Sequence, residues 1–400
     1  MNVTFVSNYI NHHQIPFCEA MVKSLGEGNF TFLQTMRMEK ERLDMGWEDL
    51  SEDLPYVVRY HDDTKKAEQL LISSDVVLYG WAPTVEKVIE ERVRCGYLTF
   101  CVSERLYKDG QWKALSPKGQ IAKRRAYTRF RESPYYLLSA GAYVASDFSL
   151  VGAFPGKKLC WGYFPPLYTY GQTQLSEIKQ KVRKKSGRPV TRILWAGRFV
   201  DFKHPETALR LAADLKNAGE KFELHIAGGG EREEELKNQA AAQGLNDCVT
   251  FHGFLPPQKI RGLMEESQIF VFTSDAGEGW GAVVNEAMNS GCAVVAGTEA
   301  GCVPWLITNG VNGLLYTRCD YDQLLSRVRQ LLRSDPLCTR LGDMARQTIE
   351  TIWNADTAAE RLVWLCGCLL DGYSLDEIEL PSRGPISRDP EMKPFLKVPN

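Results

Sequence analysis

The chain has 400 residues, 44% hydrophobic and 24% charged, which at about 150 residues per domain amounts to two or three ordinary folded domains. Forty-eight Lys and Arg against fifty Asp and Glu leave a formal charge of −2, without the basic excess of a dedicated nucleic-acid binder. No apolar run reaches the roughly 18 residues of a membrane-spanning helix.

In chain order, Val3 to Ser7 within MNVTFVSNYINHHQIPF reads as a buried strand beginning almost at residue 1. The segment lacks the basic and apolar regions of a secretion signal, so a cytoplasmic location is expected. His12 and His13 follow this strand and precede a helix over about residues 17–25, at the strand end where α/β sheets bind ligands. The pair either touches a ligand or caps the helix and bonds backbone. Further strands are expected at 30–34, 76–80, 98–103 and, more weakly, 142–146, with a helix over about 84–94. Glu104 and Arg105 come after the strand at 98–103, as a ligand contact or as a plain loop ion pair. Residues 118–131, KGQIAKRRAYTRFR, carry six basic residues and no acidic one, with Tyr127 and Phe130 interleaved. That segment is a solvated helix face or a contact surface for an anionic membrane. Arg124, Arg125, Arg129 and Arg131 do not fall on one helical stripe.

A composition break over 176–190, polar and basic with Gly187 and Pro189, reads as a linker. The β-rich and amphipathic alternation then restarts, with strands at 193–197, 222–228, 249–253, 269–274 and 293–297. Helices are expected at 206–217, 231–243, 258–267 and 282–290. From about Tyr321 to Leu370 the pattern is helical, and five prolines after residue 379 give an irregular tail. Strands alternating with helices imply parallel sheets covered on both faces, hence two successive Rossmann-like units. The eleven cysteines are scattered, and several sit inside apolar runs; reduced thiols are expected, with neither a disulfide framework nor a zinc site.

The segment SDAGEGWGAVVNEAMNSGCAVVAG (274–297) is the most informative. Glycines 277, 279 and 281 let backbone approach a bulky anion, and the helix starting at Ala282 offers free N–H groups and a positive dipole end suited to phosphate. Glu278 lies on the loop before that helix, and Glu286 a turn into it. Taken alone, both could equally be solvated.

This segment resembles the E-x7-E signature of retaining glycosyltransferases with the GT-B fold, in particular glycosyltransferase family 4. WAGRFVDFKHPE (195–206) is similar to the family's GR-x4-K element, ELHIAGGGE (223–231) to its strand and G-x-G turn, and VTFHGFLPPQKIRGLMEESQIFVFTS (249–274) to its F-x-G segment. GTEAGCVPWLITNGVNGLLY (297–316) resembles the following G-x-P-E stretch, with Trp305 where Glu is usual. The resemblance is dense over about 190–320. It implies that Arg198 and Lys203 grip the donor diphosphate, where fixed cations stabilise leaving-group charge. Gly229, His252, Gly253, Phe254, Glu278, Gly279, Gly281, Ala282, Val283 and Glu286 complete the implied donor site. Glu278 would hold the sugar and Glu286 the ribose.

The first half resembles the family less. NYINHHQIPF stands where a Gly-Gly loop is usual, and its H-x-x-P, His13 to Pro16, is similar to the loop of inverting GT-B enzymes whose His is the acceptor-activating base. Many family members carry a His near residues 103–105; here Ser103, Glu104 and Arg105 occur. His12, His13, Glu104 and Arg105 are thus the candidate acceptor contacts, with His13 and Glu104 also candidate catalytic groups. His204 is expected beside the donor, and His225 in the core.

The resemblance implies two Rossmann-like domains facing across a cleft: an acceptor domain over 1–175, a linker over 176–190 and a donor domain over 191–355. Helices over 356–378 would cross back to the first domain, followed by a Pro-rich tail over 379–400. The expected activity is transfer of a sugar from a UDP-, GDP- or other NDP-sugar to a glycan, a lipid-linked saccharide or a small molecule. Retention, no cofactor and no metal are expected, since no D-x-D follows a strand and no His, Asp and Cys cluster has ligand spacing. Peripheral contact with the inner face of the membrane remains open; no nucleic-acid partner is expected. A GT-B-fold sugar-nucleotide epimerase and a non-catalytic nucleotide-sugar binder are the competing readings.

Overall fold

Short runs of β-branched and aromatic residues, each followed by an amphipathic stretch, form two separate parallel sheets. The computed structural model describes residues 1–40, 48–108, 110–185, 190–317 and 320–394. Cys319, Pro399, Gly187 and Pro189 lie outside the described residues.

The first unit comprises Met1–Pro166 and the chain from Ile352 onward. Its strands are β1 (Val3–Ser7), β2 (Phe30–Gln34), β3 (Val57–Arg59), β4 (Val76–Tyr79), β5 (Thr99–Ser103), β6 (Tyr135–Ala140) and β7 (Lys158–Trp161), ordered β3-β2-β1-β4-β5-β6-β7. Every pairing is parallel, with Val6 level with Leu33 and with Tyr79. Between them lie α1 (Ile15–Leu25), α2 (Thr64–Ser73), α3 (Glu86–Arg94), α4 (Pro117–Thr128) and α5 (Val144–Leu150). Val6, Leu33, Val77, Leu137 and Phe148 belong to its buried core, as expected for strands buried on both faces.

The strand expected at 142–146 is absent. Its residues run into α5, whose Asp147 is fixed by Arg105 and by the Tyr107 N–H, while YYLLSA just before it forms β6 with all six residues buried. Reading AYVAS as an extended run mistook the first turn of a buried helix for alternation.

The second unit, Leu167–Thr351, opens with α6 (Gln174–Lys185). Much of the expected linker is therefore helical: Leu175 is buried, Lys179 donates to the Ser267 carbonyl, and Arg183 pairs with Asp335 at 2.9 Å. The unit's strands are β8 (Thr191–Ala196), β9 (Phe222–Ala227), β10 (Val249–Gly253), β11 (Ile269–Phe272), β12 (Ala293–Gly297) and β13 (Leu314–Tyr316), ordered β10-β9-β8-β11-β12-β13. Its helices are α7 (Pro205–Asn217), α8 (Glu233–Ala242), α9 (Pro257–Glu266), α10 (Ala282–Asn289), α11 (Val303–Leu306), α12 (Tyr321–Leu332) and α13 (Asp335–Thr351). Ile193, Leu224, Ile269, Val295 and Leu314 lie in its core.

The chain from Ile352 rejoins the first unit. There α14 (Ala355–Leu370), N-capped by Asn354 accepting from the Thr357 N–H at 2.8 Å, packs on α1. The Pro-rich segment is irregular yet docked: Arg388 bridges Leu159 in antiparallel fashion, Ile386 N–H donates to the Cys160 carbonyl and Asp389 N–H to the Lys158 carbonyl. This covers the outer side of β7. No described helix is long and apolar enough to cross a membrane.

Candidate active site

In the second unit the chain runs outward from β8 to β9 and β10, then returns to the other side of β8 as β11. Between β8 and β11 the loops therefore diverge, leaving the crevice in which open α/β sheets hold ligands. Arg198 and Lys203 lie on the loop after β8, and Glu278 on the loop after β11. The two loops are tied together by Asp275 N–H donating to the Phe202 carbonyl at 2.8 Å and by the Thr273 hydroxyl donating to the Lys203 carbonyl at 2.5 Å. Trp195 Nε1 donates to that same hydroxyl at 2.8 Å, locking it to β8.

On this scaffold the Lys203 ammonium pairs with Glu278 Oε2, which also accepts from the Ser274 hydroxyl at 3.2 Å. Arg198, on the same loop as Lys203, is part-buried, and no side chain among the described residues engages its guanidinium. His204 bridges Asp275 at 3.3 Å and Glu206 at 3.1 Å. These two carboxylates, Asp275 foremost, raise its pKa although burial opposes them. His204 thus braces the loop while about a third of its side chain, 33%, stays exposed.

Two glycines set how closely backbone can approach. Gly228 has φ +136, and a Cβ there would lie 1.8 Å from the Gly197 carbonyl oxygen, so the loops after β8 and β9 touch main chain to main chain. Gly229 follows directly, and its carbonyl accepts from Phe199 N–H at 2.9 Å. Gly281, with φ +98, starts α10, and a Cβ would meet the Phe272 ring at 2.8 Å. Beyond Gly279 and Gly281, the first N–H groups at Ala282 and Val283 have no intrahelical acceptor, leaving the positive end of α10 beside the β11 loop. Trp280 between them is buried and donates to Asn285 at 2.9 Å.

Glu286 is part-buried on α10, and burial raises its pKa against the attraction of Arg261. Arg261 is buried, donating to the Glu286 carbonyl at 3.0 Å and to Ser290 at 2.8 Å. His252 Nε2 lies 2.8 Å from His225 Nδ1 in a stacked pair, so one ring donates and the other accepts. Burial lowers both pKa values, that of His225 to about 3, which disfavours the charged form of each ring. His225 is in the core as expected, whereas His252 is engaged by it. Gly253 and Phe254 follow, the phenyl ring exposed.

In the first unit His12 and His13 lie between β1 and α1, beside the corresponding crevice between β1 and β4. Their rings are 3.9 Å apart, and Asn11 Oδ1 accepts from the His13 N–H at 3.0 Å. Burial, aided by His12, pushes His13 down to about 3. The loop ion pair between Glu104 and Arg105 does not form. Glu104 accepts from the Tyr163 hydroxyl at 2.6 Å and pairs with Lys108, while Arg105 is buried in a two-point pair with Asp147 at 3.1 and 3.2 Å. Neighbouring charges in sequence diverge because one faces the strand end and the other the core.

Asp275, Ser274, Asn285 and Arg261 were not singled out from sequence. Asp275 alone left a signal, as an Asp two residues before a glycine, the pattern of a side chain closing its own turn; its Oδ1 accepts from Gly277 N–H at 2.8 Å. Among the described residues no three His, Cys, Asp or Glu converge as metal ligands.

Residues 176–348 match the family model of glycosyl transferases group 1. The chain is 31% identical over 187 residues to the amylovoran biosynthesis glycosyltransferase AmsK of Erwinia amylovora, covering 46% of each chain. It is 27% identical over 202 residues to a D-inositol 3-phosphate glycosyltransferase of Corynebacterium jeikeium, 48% of this chain and 47% of that one. Similarity at 27% over 193 residues extends to a GDP-mannose-dependent alpha-(1-6)-phosphatidylinositol monomannoside mannosyltransferase of Mycobacterium tuberculosis, 47% and 49% of the two chains. These matches span about half the length of each relative. Anabaena Alr3699/HepE, solved with UDP and glucose, superposes over 93% of this chain and all of its own at TM-score 0.66 and 16% identity. Sucrose-phosphate synthase from Thermosynechococcus elongatus does so over the same shares at 0.62 and 14%. The two parallel sheets are those of the GT-B fold.

Proposed function

We propose that the chain is a glycosyltransferase that moves a hexose-type sugar from a nucleoside diphosphate to an acceptor hydroxyl with retention of configuration. The observation that carries this is the Lys203–Glu278 ion pair across the β8 and β11 loops, with Arg198 on the first loop and the start of α10 following the second. Arg198 and Lys203 would meet the two phosphates and the N–H groups of Ala282 and Val283 one phosphoryl edge. Their positive charge supports turnover without a metal and without a cofactor. Glu278 would accept from the sugar's hydroxyls, and Glu286 from the ribose. UDP and glucose in Alr3699/HepE and the GDP-mannose dependence of the mycobacterial relative support a pyrophosphate-linked donor of this class.

In the reaction the acceptor oxygen bonds to the anomeric carbon as the bond from that carbon to the β-phosphate oxygen breaks. The nucleoside diphosphate leaves with the electron pair, and its departing oxygen takes the acceptor proton on the same face. An inverting reaction would instead require a base on the opposite face. His13 is poorly suited to that task, since burial keeps it a weak base, and this favours retention. His12, His13, Glu104 and Arg105 belong to the acceptor side, Arg105 by holding the loop and not by contact. The acceptor is a glycan, a lipid-linked saccharide or a small molecule.

Incubation with radiolabelled NDP-sugars, with and without acceptor, tests the reading. Acceptor-dependent nucleotide release with a product retaining the donor's anomeric configuration by NMR coupling constant is expected. Epimerised donor would assign the protein to sugar-nucleotide epimerisation, binding without release to a non-catalytic role, and the opposite anomer to an inverting mechanism.

A further inference from the structure

The segment 111–128 sorts its side chains in an unusual way. A short 3-10 helix, Gln111–Leu115, runs into α4, and none of the residues of either is buried. A twelve-residue helix without a buried face gains little from packing, and isolated helices of that length are marginal in water. One side makes contact with the rest of the unit. Gln111 donates to Asp147 at 2.8 Å, the Lys123 ammonium lies 5.0 Å from the Tyr107 ring, and Tyr127 meets Phe148 edge-on at 5.1 Å. Gln120, Lys123 and Tyr127, spaced three and four apart, therefore define the inward stripe.

The outward stripe is apolar and basic at once. Ile121 is 67% exposed, and Lys118, Arg124 and Arg125, at −3, +3 and +4 from it, are all exposed around it. In the preceding turn Leu115 is 83% and Trp112 49% exposed, with the Lys113 ammonium over the indole. Between residues 110 and 131 there is no acidic residue in a chain whose overall charge is −2. Arg129 and Arg131 do not share this face: the first pairs with Glu90 and the second donates to the Gly152 carbonyl.

We infer that Trp112, Leu115 and Ile121 enter the headgroup region of an anionic bilayer while Lys113, Lys118, Arg124 and Arg125 ring them against lipid phosphates. This rests on the proposed glycosyl transfer only for its purpose, delivery of an acceptor at the membrane face. The occupant follows from charge complementarity. Apolar tips within a ring of four cations suit a surface that is greasy inside and negative at its rim. A second copy of this chain would bring the same positive charge against itself.

Flotation of the full chain with vesicles of phosphatidylcholine alone, and with about one-third phosphatidylglycerol, tests the assignment. Binding to the anionic vesicles should exceed that to the neutral ones by at least about tenfold and fall as salt rises. The triple variant Lys118→Glu, Arg124→Glu, Arg125→Glu should lose binding altogether. Trp112→Ser with Leu115→Ser and Ile121→Ser should release from vesicles at lower salt than the wild type. The indole emission of the wild type should shift to the blue with vesicles, and that shift should shrink in Trp112→Phe. Unchanged circular dichroism, melting temperature and nucleotide-induced thermal shift confirm that the variants retain the second unit's site. Absent or charge-independent vesicle binding would overturn the assignment, as would a dimer in light scattering that the apolar variant dissolves. Vesicle binding without any donor turnover would instead retain the membrane surface and sink the transferase reading.

Discussion

The Lys203 ammonium rests on the Glu278 carboxylate, 75 positions further along the chain. With 14% and 15% of the two side chains exposed, each is the other's principal neutralising partner. In the proposed reaction the incoming diphosphate would draw Lys203 away and release Glu278 to the sugar hydroxyls. One ion pair thus keeps both ends of the donor site in place before the donor arrives.

Arg198→Ala and Lys203→Ala are each expected to lower kcat/KM by about 10²-fold, the scale found when a charge stabilising a leaving group is removed. Their effects on folding should differ. Arg198 has no side-chain partner among the described residues to abandon, whereas Lys203→Ala leaves Glu278 part-buried and short of its cation, costing about 1–3 kcal/mol. Urea unfolding with steady-state kinetics separates the two. Wild-type kcat/KM in either variant would remove that residue from the diphosphate site.

Gly228→Ala should abolish the folded second unit or cost more than about 4 kcal/mol, because its Cβ would overlap the Gly197 carbonyl at 1.8 Å. Gly244→Ala, with nothing within 4 Å, is the control for left-handed backbone without a clash, although its φ of +66 carries strain of its own. Melting temperatures that fall equally in the two would show that the close approach of the loops matters little.

His204 supplies a pH dependence of known sign. Its pKa is raised in the folded protein by Asp275 and Glu206, so its stabilisation is present in full below the unfolded value of about 6.5 and is lost as pH rises through the folded value. The stability gap between wild type and His204→Asn, which tolerates the left-handed φ of +49, should therefore be larger at about pH 6 than at about pH 8. Denaturant titrations at both pH values check this. A gap that widens with pH would show that the two carboxylates do not hold the ring charged.

His13→Ala should impair acceptor use and leave donor binding unchanged. Because burial holds His13 at about 3, the wild-type pH–rate profile should show no inflection near 6.5 that the substitution removes. Such an inflection would make His13 the titrating base and favour inversion.

The second unit was legible in the sequence because its strands announce themselves locally. ILWAG, FELHIAG and VTFHG are apolar runs bounded by glycine, and each lies within a residue or two of an observed strand. The first unit was harder to read. Val57–Arg59 and Lys158–Trp161 are short, and the latter carries a buried lysine whose partner, Glu391, is 233 positions away. Arg105 shows the same limit: nothing near it in sequence reveals that Asp147 will claim its guanidinium in the core. Spacing names the groups that a loop presents, but pairings made across a sheet depend on contacts that no local window contains.

The return of the chain from Ile352 to the first unit governs the order in which the protein can be made. On the ribosome the strands β1 to β7 emerge first, yet Ile386, Ser387 and Asp389, which bond the main chain of β7, emerge only after the whole second unit. The second unit, contiguous in sequence, can close while the first still waits with the outer strand of its sheet unpaired. For that interval β7 offers free N–H and C=O groups to any neighbouring chain. The nascent protein is therefore most prone to association while the second unit emerges, after β7 and before the segment that covers it.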